Sequence, residues 1–449
     1  MRRKSCAWLA ATVLALGSLA SRPMPAHDGD TRFEAREHHE ARESREGRDD
    51  RAASDRSATS RDDKDKDRGS HGGRSGGDAE RGSRRDESRA RGARFDIERD
   101  ATGADRERNE VLLIGPSSAS DAVRGAGFAV ISENRLEALR QTLIRVRVRD
   151  GETVERTIET LRDVAPGIRV APNHVFHPSE AAATQGLAGK IEPPRAAQRI
   201  EAPQIGIIDT GADTTLRRLQ SRVTLQRGFA PGGYAPRPHG TAVAELASSL
   251  GASLAVADVF GLDRQQKLVA PAELIALAID WMLSEDVRIM NISIEGPRND
   301  VLEFVVDAAV AQGALIIAAA GNGGPAAAPE YPAAYPGVVA VTALDERGLL
   351  YRRAARGDHI QFAARGTYGP GQSLVDTQTV LSGTSFAAPV VAAAAARQWR
   401  LAPSASREQV LSAMRSTAID MGAPGRDPIY GWGAVDPWRE AGEGARANR

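Results

Sequence analysis

Near its C-terminal end the chain reads Leu381-Ser382-Gly383-Thr384-Ser385-Phe386-Ala387-Ala388-Pro389, followed by an alanine-rich run over 390–396. Small residues and a glycine lead into a serine that opens a helical segment. The first turn of a helix has unpaired backbone N–H groups and the positive end of the helix dipole, so an alkoxide or oxyanion is stabilised there. A serine at that place is also a common N-cap. A nucleophile needs a base and a group that orients the base, and two upstream segments hold residues of those types. Gln204-Ile205-Gly206-Ile207-Ile208-Asp209-Thr210-Gly211 reads as a buried parallel strand ending in a carboxylate. Open α/β sheets place their sites at that edge. His239-Gly240-Thr241 opens another helical segment, 242–250. Taken singly, Asp209 also reads as a turn carboxylate and His239 as an ordinary surface histidine. An Asp, a His and a Ser, each at an element boundary, together describe nucleophilic acyl transfer.

These blocks resemble the subtilisin-type serine peptidases. Asp209-Thr210-Gly211, His239-Gly240-Thr241 and Gly383-Thr384-Ser385-Phe386-Ala387-Ala388-Pro389 match that family's pattern in the family's chain order. Ala319-Ala320-Gly321-Asn322-Gly323 resembles its oxyanion segment, although Gly-Asn-Gly-Gly is also a turn signature. The likeness covers residues 200–440 and implies a mostly parallel central sheet with helices on both faces. It also implies roles. Ser385 Oγ attacks a peptide carbonyl, His239 takes the proton and returns it to the leaving amine, and Asp209 fixes the imidazole tautomer. The Asn322 amide and the Ser385 backbone N–H hold the oxyanion.

The resemblance further implies a substrate cleft. Asn291-Ile292-Ser293-Ile294 aligns with the edge that pairs with an extended substrate, and Ala318-Ala319-Ala320-Gly321 with the facing wall. The substrate-binding set is therefore Ser293, Ile294, Glu295, Ala319, Ala320 and Gly321. Glu295 stands where the family usually has glycine. It either favours a basic residue before the scissile bond through charge pairing, narrows the pocket against large apolar residues, or turns to solvent and does neither. After His239, Ala242 and Glu245 replace the family's usual His and Gly, and Glu245 needs space. No Asp/Asn/Gly run of calcium-loop form stands out, so no metal and no cofactor is assigned.

The elements that must position these residues follow from periodicity. From Pro203 onward strands and helices alternate, which predicts an α/β fold with a mostly parallel sheet. Strands are expected at 253–260, 287–294, 314–320 and 338–343. Helices are expected at 271–284, 299–312 and 390–400. The first of these helices carries Leu274, Leu277, Ala278, Trp281 and Met282 on one stripe.

The rest of the 449-residue chain is organised differently. Its 59 basic and 59 acidic residues cancel, which gives no support to a nucleic-acid partner. Residues 1–20 have a basic start, a short apolar core and small residues at a cleavage point, the form of a secretory signal peptide that would end at residue 20 or 26. The apolar run is too short for a membrane span, and no second one follows. Cys6 is the only cysteine, so the mature chain has no disulfide. Residues 27–109 are rich in Arg, Asp, Glu, Ser and Gly without apolar periodicity, and read as a disordered charged segment. Residues 110–178 regain pattern in the order βαββαβ, which suggests a small ferredoxin-like domain. In the subtilisin-like family a domain of that form before the catalytic domain is a prodomain, acting as folding template and inhibitor. Residues 179–199 read as an exposed linker holding the maturation site. The catalytic domain spans 200–440 and a disordered tail 441–449.

The leading expectation is an exported serine endopeptidase, periplasmic or extracellular, made as a self-processing precursor. Its partners are protein or peptide substrates and its own prodomain. Two other readings compete. One is a catalytically silent protein of the same fold that binds in the envelope or in secretion, for which Glu245 and Glu295 are the best support. The other is an envelope tether whose charged arm is the working part.

Overall fold

A computed structural model describes residues 94–179, 204–369 and 380–436. The expected signal peptide, the charged segment up to residue 93, the linker from residue 180 to its end, and the tail 441–449 lie outside the described residues.

The first described part is antiparallel. It runs β1 (Ile97–Arg99), β2 (Asp105–Gly115), α1 (Ser118–Gly125), β3 (Ala129–Leu136), β4 (Gln141–Arg147), α2 (Val154–Val164) and β5 (Arg169–Pro178). The strand order is β3-β4-β2-β5, with β1 on β2. Alternating side chains give this sheet two buried faces. Val111, Leu113, Ile144 and Val146 pack under Val123, Ile158 and Leu161 of the two helices. Leu112, Ile114 and Leu143 point the other way, into the core shared with the second part of the chain.

Residues 94–109 correct the sequence reading, which placed them in the disordered segment. They form β1 and the start of β2. Several of their charges form ion pairs, some with one another and one with a helix further along the chain. Arg106 donates to Glu98 at 3.0 Å and Glu155 at 2.6 Å, and Arg108 to Glu98 at 3.1 Å. Opposite charges facing each other across strands stabilise a pairing that apolar periodicity does not announce.

The second part begins with β6 (Ile205–Asp209), α3 (Arg217–Gln220), β7 (Val223–Gly228), α4 (Pro238–Ala247), β8 (Leu254–Asp258), β9 (Gly261–Leu262) and β10 (Leu268–Pro271). It continues through α5 (Ala272–Ser284), β11 (Ile289–Ile292), β12 (Ile294–Glu295), α6 (Asp300–Ala311), β13 (Leu315–Ala319), β14 (Val339–Leu344) and β15 (Ile360–Arg365). It closes with β16 (Thr367–Tyr368), β17 (Leu381–Ser382), α7 (Thr384–Leu401) and α8 (Arg407–Thr417). Seven strands form one parallel sheet in the order β15-β14-β13-β11-β6-β8-β7. Continuous apolar runs such as Leu315–Ala319 belong in such a sheet because both faces are covered. From β6 the chain goes to one side, through β7 and β8, and then crosses to β11 on the other. The C-terminal end of β6, where Asp209 sits, is therefore a topological switch point.

The two parts meet along β5 and α5. β5 pairs with β2 over its first half, then with β10 (Ala270↔Phe176, Pro271↔Val175) and with β12 (Ile294↔Pro178, Glu295↔His177). Glu273 and Asp280 lie two turns apart on one face of α5. Glu273 accepts from Ser132 Oγ at 2.7 Å, and Asp280 accepts the backbone N–H groups of Glu137 and Leu139, each at 3.0 Å.

Candidate active site

Asp209 ends β6 fully buried. Its Oδ1 lies 2.8 Å from His239 Nδ1 and also accepts from the Thr210 N–H at 2.6 Å. His239 occupies the first turn of α4 behind Pro238, a residue well suited to a helix start. The approach of that turn depends on Gly240. A Cβ there would lie 2.1 Å from Thr210 O, while the Gly240 N–H donates to Thr210 Oγ1 at 2.9 Å. The loop before the helix is held by Asp258, the residue in register with Asp209 on β8. Asp258 accepts from Ala235 N at 2.7 Å and Phe260 N at 3.1 Å. Burial nevertheless pushes its carboxyl up to about 7.

Ser385 lies in the first turn of α7, and the next residue, Phe386, packs its ring 5.3 Å from the His239 ring. Pro389 sits inside the same helix. Having no N–H, it leaves the Ser385 carbonyl without its helical donor. Ser293 Oγ supplies one at 3.0 Å, and is itself a partner of Asn291 Nδ2 at 3.0 Å. This polar chain ties the end of β11 to the turn that carries Ser385.

Asn322 follows β13. Its Oδ1 accepts from Thr384 N at 3.1 Å, which aims its Nδ2 the other way. The group there belongs to the chain's own Ser179. Asn322 Nδ2 and Ser385 Oγ both donate to the Ser179 carbonyl oxygen, the latter at 3.2 Å. Ser179 continues β5 beyond Pro178 and is fully buried. Its N–H donates to Ser293 O at 3.3 Å, extending the antiparallel pairing with β12. Its hydroxyl donates to Glu295 Oε2 at 2.9 Å and lies 3.3 Å from Thr384 Oγ1.

The sequence-assigned residues thus fall into three groups. Asp209 and His239 are joined by one hydrogen bond, and Ser385 and Asn322 converge on one carbonyl oxygen. Ser293, Ile294 and Glu295 line the extended strand 177–179. Glu295 does not turn to solvent: it meets the Ser179 hydroxyl and the Asn322 N–H, and burial raises its pKa. Ala319 and Ala320 differ from the expected wall, because their side chains fill the two apolar cores on opposite sides of the sheet. Of that stretch, Gly321 is the residue that adjoins Glu295. Its N–H donates to Thr384 Oγ1 at 3.1 Å and its φ of 104° suits glycine.

Glu330, Thr384, Asp258 and Ser179 were not picked out from the sequence. Thr384 sits inside the recognised serine block, and its hydroxyl beside the nucleophile was a signal within reach. Glu330 lies in the Ala- and Pro-rich stretch after Gly323, where no period points to it.

A family model described as the subtilase family matches residues 201–433, slightly more than half of the chain. The chain is 36% identical over 171 residues to the minor extracellular protease Epr of Bacillus subtilis (strain 168), a match that covers 38% of this chain and 26% of that protein. It is 27% identical over 302 residues to subtilisin amylosacchariticus of Bacillus subtilis subsp. amylosacchariticus, covering 63% of this chain and 77% of that one. The chain thus spans about a quarter of the length of Epr. The crystal structure of fervidolysin from Fervidobacterium pennivorans, a keratinolytic enzyme related to subtilisin, aligns with a TM-score of 0.60 and 20% identity, covering 79% of this chain and 63% of that one. At that identity the likeness concerns the fold alone.

Proposed function

Because the chain belongs to the subtilase family, we propose that it is an exported serine endopeptidase, made as a precursor that cuts its own chain after Ser179. The observation that carries this reading is the Ser179 carbonyl oxygen, which accepts from both Asn322 Nδ2 and Ser385 Oγ. The carbonyl carbon bonded to that oxygen is the natural target of Ser385 Oγ. His239, oriented through Nδ1 by Asp209, takes the Oγ proton as the Oγ–C bond forms. Negative charge then gathers on the Ser179 oxygen, where the Asn322 amide and the helix N-terminus stabilise it. The C–N bond to Glu180 breaks, and the imidazolium returns its proton to the leaving amine. Water, deprotonated by His239, attacks the acyl-enzyme and releases the Ser179 carboxylate and the free Ser385 hydroxyl. Extended protein or peptide substrates would pair with Ser293–Glu295 as residues 177–179 do.

In the same reading the antiparallel module with strand order β3-β4-β2-β5 is a ferredoxin-like prodomain, its last strand filling the cleft and excluding other substrates. Export rests on the signal-like residues 1–20. None of the described helices is long and apolar enough to cross a membrane. The catalytically silent alternative loses its argument from Glu295, which contacts the substrate-like serine.

The test is to incubate the purified precursor and its Ser385→Ala twin and to follow both by mass spectrometry with a fluorophosphonate probe. The wild type should yield a new N-terminus at Glu180 and label at Ser385, while the variant stays intact. Equal processing of both chains, or no labelling of folded wild type, overturns the reading. Asn322→Ala should lower kcat far more than it alters KM. The expected size, about 10²–10³, is a magnitude that belongs to subtilisin's own oxyanion asparagine.

A further inference from the structure

The Ser179 side chain meets one carboxylate, and a second acidic side chain lies close to that one. Glu295 Oε2 accepts its hydroxyl at 2.9 Å. Gly321 forms bare backbone beside it: a Cβ placed there would lie 3.5 Å from Glu295 Oε2 and 3.0 Å from Glu330 Cγ. The two acidic side chains come from separate elements, β12 and the loop before Tyr331, and converge on one glycine. Burial first, and then the charge of Glu295, pushes the Glu330 carboxyl up to about 7. The other groups facing Glu295 are the Asn322 N–H, His177 on β5 and Arg353. His177 belongs to the module and pairs there with Asp105 of β2 at 3.1 Å, so both leave the pocket together when the module does.

We propose that Glu295 and Glu330 are specificity-determining residues that select, before the scissile bond, a side chain able to donate hydrogen bonds: serine when small, lysine or arginine when long. This deepens the proposed function and rests on Ser179 as the residue preceding the cut. Alanine in place of serine removes one of two donors to Glu295 Oε2, leaving the Asn322 N–H at 3.3 Å, and a lost hydrogen bond to a charged group is costly. A large apolar side chain would desolvate two carboxylates and pair with neither. A cation relieves their mutual repulsion and forms charge-assisted bonds with both. With a peptide filling the cleft as residues 177–179 do, burial again holds the Glu330 carboxyl high, and as pH rises through about 7 it gives up its proton and the preference for a cation over a hydroxyl grows.

The self-processed enzyme is titrated with fluorophosphonate and assayed on four peptides that differ only in having Ser, Ala, Lys or Phe before the cut, at pH 6 and pH 8.5. Ratios of kcat/KM between peptides cancel the titration of His239, which acts on all of them alike. The Ser peptide should exceed the Ala peptide by about tenfold, the size of one hydrogen bond to a charged group. The Lys peptide should exceed the Phe peptide, and the Lys/Ser ratio should rise between the two pH values. Glu330→Gln should remove that rise, and Glu295→Gln should shrink the Ser/Ala ratio. Full titration of Ser385 with Phe as the best residue overturns the specificity while leaving the peptidase reading intact. So does a Lys/Ser ratio that ignores pH. Failure to titrate Ser385 at all overturns both. The wild-type peptide series decides the matter even where a variant does not fold.

Discussion

The parallel sheet and the antiparallel module bury similar kinds of apolar residues but treat charge in opposite ways. On the parallel sheet both faces are apolar: Ile205, Ile207, Leu315 and Ile317 pack under α4 and α7, and Ile208, Ile316 and Ala318 face α5 and α6. The module has one face of that kind, under its own two helices. Its other face mixes Leu112, Ile114 and Leu143 with a buried charged group: Glu107, Glu110, Arg145 and, from α5, Glu273. One arginine faces three carboxylates. A dry apolar interface holds regardless of pH, whereas a crowded acidic one depends on protons. The difference fits the proposed roles of a catalytic part that stays folded and a prodomain that leaves it.

Four changes would test this contrast between the sheet and the module. Ile317→Ala, in the centre of the parallel sheet, should lower global stability by about 2–5 kcal/mol. Denaturant melts of the Ser385→Ala precursor would read this, and a loss confined to the module would contradict the division. Asp280→Ala leaves the N–H groups of Glu137 and Leu139 without their carboxylate. At about 1–3 kcal/mol for such a loss, the cleaved module should dissociate roughly ten- to hundredfold more readily, with the melt of the peptidase part unchanged. Size-exclusion of the cleaved complex measures it.

The third change is pH. Burial, and then the hydrogen bond and charge of Glu110, push the Glu107 carboxyl up to about 9, against the pull of Arg145. Once the module separates and water reaches this face, the group falls back toward the ordinary carboxylate value. Between those two values the docked state holds a proton that the free state does not. Docking is therefore strongest in acid and weakens as pH climbs toward 9. Retention of the cleaved module across pH should show that slope, and Glu107→Gln should flatten it. Smallest of all, Arg162→Ala removes an exposed pair with Asp300 at 3.8 Å. Exposed pairs contribute about 0–1 kcal/mol, so module retention should barely move. A large loss would mean that surface charge, not the buried cluster, holds the module.

Much of this was legible residue by residue. The apolar runs at 205–208 and 315–319 announce strands buried on both faces, because only such a place tolerates them. Asp209, His239, Asn322 and Ser385 stand out at element ends. The charged stretches 97–99 and 105–109 were not legible, since their order comes from partners far along the chain, such as Glu155. Glu330 was equally hidden, because a loop residue gains meaning only from what folds against it.

Local and periodic features were readable along the chain: which runs must be strands, where helices begin, and which side chains have the chemistry for acyl transfer. These depend on neighbours within a few residues and on apolar period. The tertiary structure decided which distant groups meet. It brought Ser179 against Asn322 and Ser385, set Glu330 beside Gly321 and Glu295, and crowded three carboxylates around Arg145. Hydrogen bonds and charges act over a few ångströms in space, whatever the separation along the chain, so only the closed fold could choose those partners.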